Sequence, residues 1–144
     1  MKKGEKARIF LVDDDELYLK VLEMELLANE DLIIETFLTG ESCIANLDHM
    51  PDMIVLDYWL NSIEPDAIDG IETLDKIKSY NPNIPVVMLS AQDKIEVAVD
   101  CMHHKATDYV VKSETAFLHL KKIISNILQL SKIQKELNWY MNKM

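Results

Sequence analysis

The chain is poor in cysteine, glycine and proline, and its basic residues are outnumbered by acidic ones. Its 144 residues include two cysteines, three glycines and four prolines, with 15 Lys and Arg against 25 Asp and Glu and a formal net charge of −10. Two cysteines, Cys43 and Cys101, cannot form a disulfide framework, which suits a reducing compartment. Because nucleic acids and anionic lipids bind clustered Lys and Arg, the acidic balance argues against both as partners.

Long apolar runs are also absent. The N-terminal run, Ile9 to Val12, is too short for the core of a signal peptide. No stretch approaches the about 20 apolar residues of a membrane span. The apolar fraction of 49% is typical of a globular protein, and a chain of this length can bury a core within a single domain. We therefore expect a cytoplasmic protein without a membrane segment.

Short apolar runs bounded by turn signals predict five β-strands. The clearest is Met53 to Asp57, an unbroken MIVL run that follows Pro51-Asp52 and ends on a carboxylate. Such runs are typical of strands that are buried on both faces of a parallel sheet. Leu32 to Phe37 alternates more and is predicted to be an edge strand. The other runs are Ile9 to Val12, Pro85 to Leu89 and Tyr109 to Val111.

Helical spacing of apolar residues appears between these strands. In the first helix, Leu17, Val21, Met24 and Leu27 or Ala28 share one face. Strands that alternate with helices require right-handed crossovers and a parallel sheet covered on both sides. The sequence therefore predicts an α/β protein with a doubly wound, three-layer (βα)5 fold. The remaining helices are predicted at residues 41–47, 70–79, 94–103 and from 114 onward.

Polar side chains follow four of the predicted strands. Asp13 and Asp14 follow the first, Asp57 ends the third, and Ser90 and Lys112 follow the last two. Ligands of open α/β sheets bind outside the carboxyl ends of the strands, so these groups should converge. Two carboxylates about 4 Å apart repel by roughly 4 kcal/mol at an effective dielectric constant near 20, and one lysine cannot neutralise three of them. This composition indicates a Mg²⁺ site equipped for phosphoryl transfer to an aspartate.

Five strings carry a resemblance to a known family. They are FLVDDD at residues 10–15, MIVLD at 53–57, Asp69-Gly70, PVVMLSA at 85–91 and DYVVKS at 108–113. From Ala7 to about Asn126 the chain resembles a CheY-like receiver domain of a two-component response regulator. The resemblance implies a flavodoxin-like five-stranded parallel sheet of order 2-1-3-4-5.

The resemblance also assigns roles to residues of the predicted site. It implies that Asp57 is the phosphoacceptor and that Asp14 is the principal Mg²⁺ ligand, with Asp13 assisting. The backbone carbonyl of Trp59 would complete the protein ligands, beside Asp57 itself. Lys112 resembles the residue that holds the phosphoryl group.

Ser90 resembles the switch hydroxyl of that family and Tyr109 its aromatic rotamer partner. The implied function is a phosphorylation switch, not an enzyme, apart from slow self-dephosphorylation. A histidine kinase or phosphotransfer protein would supply the phosphate, and a downstream protein target would receive the signal. One alternative is a Mg²⁺-dependent phosphohydrolase of the haloacid dehalogenase type, which carries a second Asp where this chain has Trp59. The other is an interaction scaffold that is never phosphorylated, which the set Asp14, Asp57 and Lys112 disfavours.

The chain departs from the family pattern in three places. The stretch Asn61 to Asp69 is longer than in the commonest receivers, and Lys112-Ser113 replaces a Lys-Pro pair with a cis peptide bond. The last helix also continues beyond the family's usual end, so we divide the chain into a receiver domain, 1–126, and a helical extension, 127–144, with no output domain after it. At 1.5 Å per residue the helix from Phe117 would be about 40 Å long. Its apolar stripe either pairs with a second copy as a short coiled coil, forming a homodimer, or folds back; we favour pairing.

Overall fold

The computed structural model describes residues 5–143 and contains five strands alternating with five α-helices. A short 3₁₀ turn, Leu47–His49, precedes the third strand. The elements are β1 (Ala7–Val12), α1 (Glu16–Leu27), β2 (Leu32–Phe37), α2 (Gly40–Ala45), β3 (Met53–Asp57), α3 (Gly70–Tyr80), β4 (Val86–Ser90), α4 (Ile95–His103), β5 (Asp108–Val111) and α5 (Ala116–Lys143).

All five strands are parallel and lie in the order β2-β1-β3-β4-β5, which confirms the predicted topology and the edge position of β2. The register pairs Val12 with Leu56, Asp57 with Leu89, and Ser90 with Val111. Because the strands run the same way, the residues that follow them meet at one edge of the sheet.

Two hydrophobic layers cover the sheet, one on each face. Alternate strand residues such as Ile9 and Leu11 pack with α1 and α5. Their neighbours Phe10 and Val12 point the other way and pack with α2, α3 and α4. The strands are therefore buried on both faces, as their continuous apolar runs predict, and β3 and β4 are buried at every residue.

Both cysteines lie in the second of these layers. Cys43 of α2 and Cys101 of α4 are free thiols with no exposed surface. Burial raises the pKa of Cys43 to about 12 and that of Cys101 to about 11. They act as small apolar core residues.

The predicted buried face of α1 is wrong. Leu19, Leu22 and Leu26 face the sheet, and Tyr18 packs beside them. The predicted set, by contrast, is exposed: Leu17, Val21, Met24 and Leu27. Helix α1 carries apolar residues at helical spacing on two faces, so periodicity alone does not decide which face is buried. The packing of α1 against α5 and the sheet decides it.

Helix α5 covers the sheet only with its first half. Leu120, Ile123 and Ile124 are buried, and Ile127 and Leu128 still pack against the core. Beyond them the apolar side chains are exposed: Leu130, Ile133, Leu137, Trp139, Tyr140 and Met141. None of the helices within residues 5–143 is apolar over a long enough stretch to span a bilayer. Across the same residues every peptide bond is trans, so the cis bond of the family's Lys-Pro pair has no counterpart at Lys112-Ser113.

Candidate functional site

The carboxyl ends of the strands surround a small open cavity of about 310 Å³. Asp57 is the last residue of β3 and Ser90 the last of β4, while Asp13 and Lys112 directly follow β1 and β5. Asp57, Asp13 and Ser90 are almost fully buried. The structure therefore brings together the polar residues that were predicted to converge at the carboxyl ends of the strands. The cavity is lined by Asp13, Asp14, Asp15, Asp57, Trp59, Ser62, Ser90, Ala91, Gln92 and Lys112.

Three carboxylates converge in this cavity. Asp13, Asp14 and Asp57 each offer an oxygen, and the three oxygens lie within 4.8 Å of one another. One oxygen of Asp13, Oδ1, accepts a hydrogen bond from the backbone N–H of Asp15 at 2.9 Å. The other, Oδ2, is buried and pairs with the ammonium group of Lys112. Three oxygens at this spacing suit a hard divalent cation such as Mg²⁺, which binds through carboxylates and waters.

Lys112 is the cation beside these carboxylates. Its Nζ lies 2.9 Å from Oδ2 of Asp13 and 3.5 Å from Oδ1 of Asp57. It also lies 4.4 Å from the centre of the Tyr18 ring, which is cation–π distance. Burial by itself would lower the pKa of Lys112, but bonding to Asp13 and the charge of Asp57 outweigh it and raise the pKa. Lys112 therefore stays charged at neutral pH.

The carboxyl groups of Asp57 and Asp13 are harder to ionise than ordinary aspartates. Burial, followed by the charge of Asp13, raises the pKa of Asp57 to about 7, although Lys112 opposes the shift. Burial also raises the pKa of Asp13, again against the effect of Lys112. One ammonium group therefore leaves excess negative charge at the site. A divalent cation at the three oxygens would neutralise that excess and favour the ionised forms.

Gly70 allows the start of α3 to lie directly against the end of β3. Its N–H donates to the carbonyl of Tyr58 at 3.1 Å. A Cβ at this position would lie 2.5 Å from the carbonyl oxygen of Asp57 and 2.6 Å from that of Tyr58. Any side chain here would push α3 away from the strand that carries Asp57. The close approach explains why a glycine occupies position 70. Asp69 before it is the N-cap of α3, and its side chain accepts a hydrogen bond from the N–H of Glu72.

Ser90 and Tyr109 are joined through Gln92. The Ser90 hydroxyl accepts the N–H of Gln92 at 3.0 Å, and the Tyr109 hydroxyl donates to the Gln92 carbonyl. Tyr109 is partly buried and packs against the α2–α4 layer. Ser90 and Tyr109 are therefore linked by hydrogen bonds through a single intervening residue.

Three residues of the site were not predicted from the sequence. Tyr18 lies in the first turn of α1, which begins directly after the Asp13-Asp14-Asp15 run, so the sequence contained a usable signal for it. Gln92 and Ser62 lie in irregular segments, where no periodicity indicates which way a group points. Trp59 lines the cavity, yet 56% of its surface is exposed. The role of its carbonyl stays a prediction.

Comparisons with known proteins place this geometry in one family. The sequence profile described as "Response regulator receiver domain" matches residues 9–125. The nitrogen assimilation regulatory protein NtrX of Azorhizobium caulinodans is 34% identical over 107 residues, which cover 74% of this chain and 23% of that protein. The chain spans about half the length or less of the curated relatives it matches.

Solved structures agree with the sequence comparison. The receiver domain of NtrX from Brucella abortus superposes with a TM-score of 0.73 at 29% identity, over 84% of this chain and 98% of that one. A CheY-like receiver domain protein from Methanospirillum hungatei shares the fold, with a TM-score of 0.74 at 23% identity, over 89% of this chain and 98% of that one. Receiver domains are phosphoacceptor signalling domains that typically bind Mg²⁺ in an acidic pocket. The chain therefore belongs to the response regulator receiver family of two-component signalling systems.

Proposed function

We propose that this chain is a phosphorylation switch that accepts a phosphoryl group on Asp57 in the presence of Mg²⁺. The observation that carries the proposal is the convergence of Asp57 with Asp13, Asp14 and Lys112 at the edge of the sheet. The phosphodonor is a histidine kinase or a histidine phosphotransfer protein, as the family membership suggests.

In the proposed step an oxygen of Asp57 forms a bond to phosphorus while the phosphorus–nitrogen bond of the phosphohistidine breaks. The bonding electron pair stays on the imidazole nitrogen, which takes up a proton. Asp57 attacks in its ionised form, which the charge of Lys112 favours. Lys112, 3.5 Å from Asp57, can then pair with an oxygen of the transferred group.

Asp13, Asp14 and Asp57 would hold the Mg²⁺ ion, with the Trp59 carbonyl as a further ligand. When bound, the ion neutralises charge on the carboxylates and on the phosphoryl oxygens. Lys112 is the cation beside Asp13 and Asp57, and one ammonium group cannot neutralise three carboxylates, which supports this assignment.

Output from the switch passes through Ser90, Gln92 and Tyr109. A phosphoryl group adds nearly two negative charges and three acceptor oxygens, so the Ser90 hydroxyl can bond to one of them. Ser90 would then leave the N–H of Gln92, whose carbonyl holds the Tyr109 hydroxyl. The rearrangement changes the surface formed by α4 and β5, where we place the contact with a downstream protein target.

The chain acts by interaction or onward phosphotransfer and not as an enzyme, apart from slow hydrolysis of its own acyl phosphate. Position 59 is Trp and supplies no general acid of the phosphohydrolase kind. We place the protein in the cytoplasm, where its kinase partners act and where free thiols such as Cys43 and Cys101 persist.

Residues 127–144 form, in our proposal, an extension of receiver domain 1–126 through which two copies pair. Ile127, Leu130, Leu137 and Met141 recur at spacings of three, seven and four along the helix, as in a coiled coil. Gln134 occupies the remaining position of this stripe, and a polar residue there can fix the register of a dimer. Most of these side chains are exposed in the single chain.

Intact mass spectrometry tests the phosphoacceptor. Incubation with acetyl phosphate or phosphoramidate and Mg²⁺ should add one group of about 80 Da to the wild type and none to Asp57→Asn. Asp66→Asn removes an exposed charge of the same kind and should label normally. Equal labelling of Asp57→Asn and wild type would show that another residue accepts the phosphate.

A further inference from the structure

The long segment between β3 and α3 is attached to the receiver core at both ends. Leu60 is buried at its start. Near its end, the N–H of Ile68 donates to Oε2 of Glu41 at 3.1 Å. The side chain of Ile68 lies where a Cβ on Gly40 would meet it, at 3.0 Å. The exposed part between these anchors therefore has a defined path, which passes the rim of the acidic cavity.

On that path the segment contacts Asp14. The Ser62 hydroxyl donates to Oδ2 of Asp14 at 2.5 Å, and the Ser62 N–H donates to the same oxygen at 3.1 Å. The N–H of Ile63 approaches it at 3.3 Å. Although the segment carries several acidic residues, it presents only neutral donors to Asp14. These donors occupy one carboxylate oxygen and leave the other, Oδ1, without a bond from the segment.

We propose that Ser62 is a positioning residue that orients Asp14 for the divalent cation. A carboxylate oxygen has two lone pairs, so Oδ2 with three donors has no capacity left for a metal ion. Oδ1 is then the ligand atom, and Ser62 holds the carboxylate in the rotamer that presents it. The proposal rests on the proposed function, because it assigns the cation to the same three carboxylates.

The hydroxyl of Ser62 is the part of this contact that a side-chain substitution can remove. Metal-binding carboxylates are oriented by hydrogen bonds from residues behind them, and losing such a partner typically weakens metal binding 10- to 100-fold. In Ser62→Ala the two backbone donors remain, so we expect the low end of that range. Asp14 would sample other rotamers, and part of the binding free energy would go into reordering it.

The test is a Mg²⁺ titration followed by Trp59 fluorescence and by backbone amide chemical shifts. Ser62→Ala should bind Mg²⁺ about tenfold more weakly than wild type. Ser62→Thr keeps the hydroxyl and should restore the affinity. Ser79→Ala removes an exposed serine of α3 and serves as the matched control. Circular dichroism of each variant checks that the fold is retained.

A second measurement separates metal binding from chemistry. At Mg²⁺ concentrations that saturate the variant, phosphoryl labelling of Ser62→Ala should reach the wild-type level, because Asp57 and Lys112 are intact. Equal Mg²⁺ affinity in wild type and Ser62→Ala would overturn the inference. Tighter binding by Ser62→Ala would overturn it too, since Ser62 would then compete with the ion. Wild type that binds Mg²⁺ but does not label would contradict the proposed function instead.

Discussion

Replacing the buried carboxylate of Asp57 by an amide should stabilise the protein at alkaline pH in the absence of Mg²⁺. Asp57 is 4% exposed and lies beside Asp13 and Asp14, with Lys112 as the nearby cation. Asp57→Asn keeps the size of the side chain and removes its charge. The substitution therefore measures the free-energy cost of ionising Asp57 in the folded protein.

The magnitude follows from the pKa of Asp57, which rises from 3.8 to about 7 on folding, first because of burial. A group whose pKa is raised on folding favours the folded state below its unfolded pKa and loses that contribution as the pH rises through the folded pKa. The increase of about three pKa units lowers the stability of the folded protein by about 4 kcal/mol at pH 8 and by about 2 kcal/mol at pH 5.

Thermal unfolding between pH 4 and pH 8 in EDTA measures the effect. Asp57→Asn should melt about 10 °C above wild type at pH 8, and the difference should shrink toward pH 4. Asp66→Asn, which removes an exposed charge, should follow wild type. Millimolar Mg²⁺ at pH 8 should raise the melting temperature of the wild type and narrow the gap. An Asp57→Asn variant no more stable than wild type at pH 8, or a gap independent of pH, would refute the reasoning.

Two further predictions concern the switch and the extension. Ser90→Ala should still accept phosphate on Asp57 but should lose the phosphorylation-dependent change in amide hydrogen exchange over residues 94–111; an equal response in both proteins would place the coupling elsewhere. Deleting residues 131–144 should leave a folded monomer, while the full chain sediments as a dimer at micromolar concentration. Leu137→Lys should dissociate the dimer and Lys135→Ala should not. A full-length chain that is monomeric at high micromolar concentration would favour fold-back of the extension.

The sheet could be predicted from the sequence because each strand is a short apolar run that ends on a polar residue. Asp13, Asp57, Ser90 and Lys112 converge for the same reason, since parallel strands place their carboxyl ends at one edge. The order of the strands came from the resemblance to receiver domains and not from periodicity. Local pattern indicates which segments are strands, whereas long-range packing decides which strands are neighbours.

The face of α1 and the contacts of the irregular segments could not be predicted in this way. Helix α1 has two apolar stripes of similar composition, one that includes Leu17 and one that includes Leu19. The stripe with Leu19 is the one that packs against the sheet. Ser62 contacts Asp14 across 48 residues of sequence. That contact depends on the anchors at Leu60 and Ile68, and no spacing rule connects the three positions.

The two buried cysteines can report local opening of the protein core. At pH 7 a thiol of pKa about 11 is ionised in about one molecule in ten thousand, and the Cys43 thiol less often still. An alkylating reagent added to the native protein therefore reacts only when the layer of α2, α3 and α4 separates from the sheet. The rate of alkylation measures the free energy of that opening. No artificial label has to be introduced. A comparison of the alkylation rates with and without phosphodonor would show whether phosphorylation at the acidic edge of the sheet stabilises this layer.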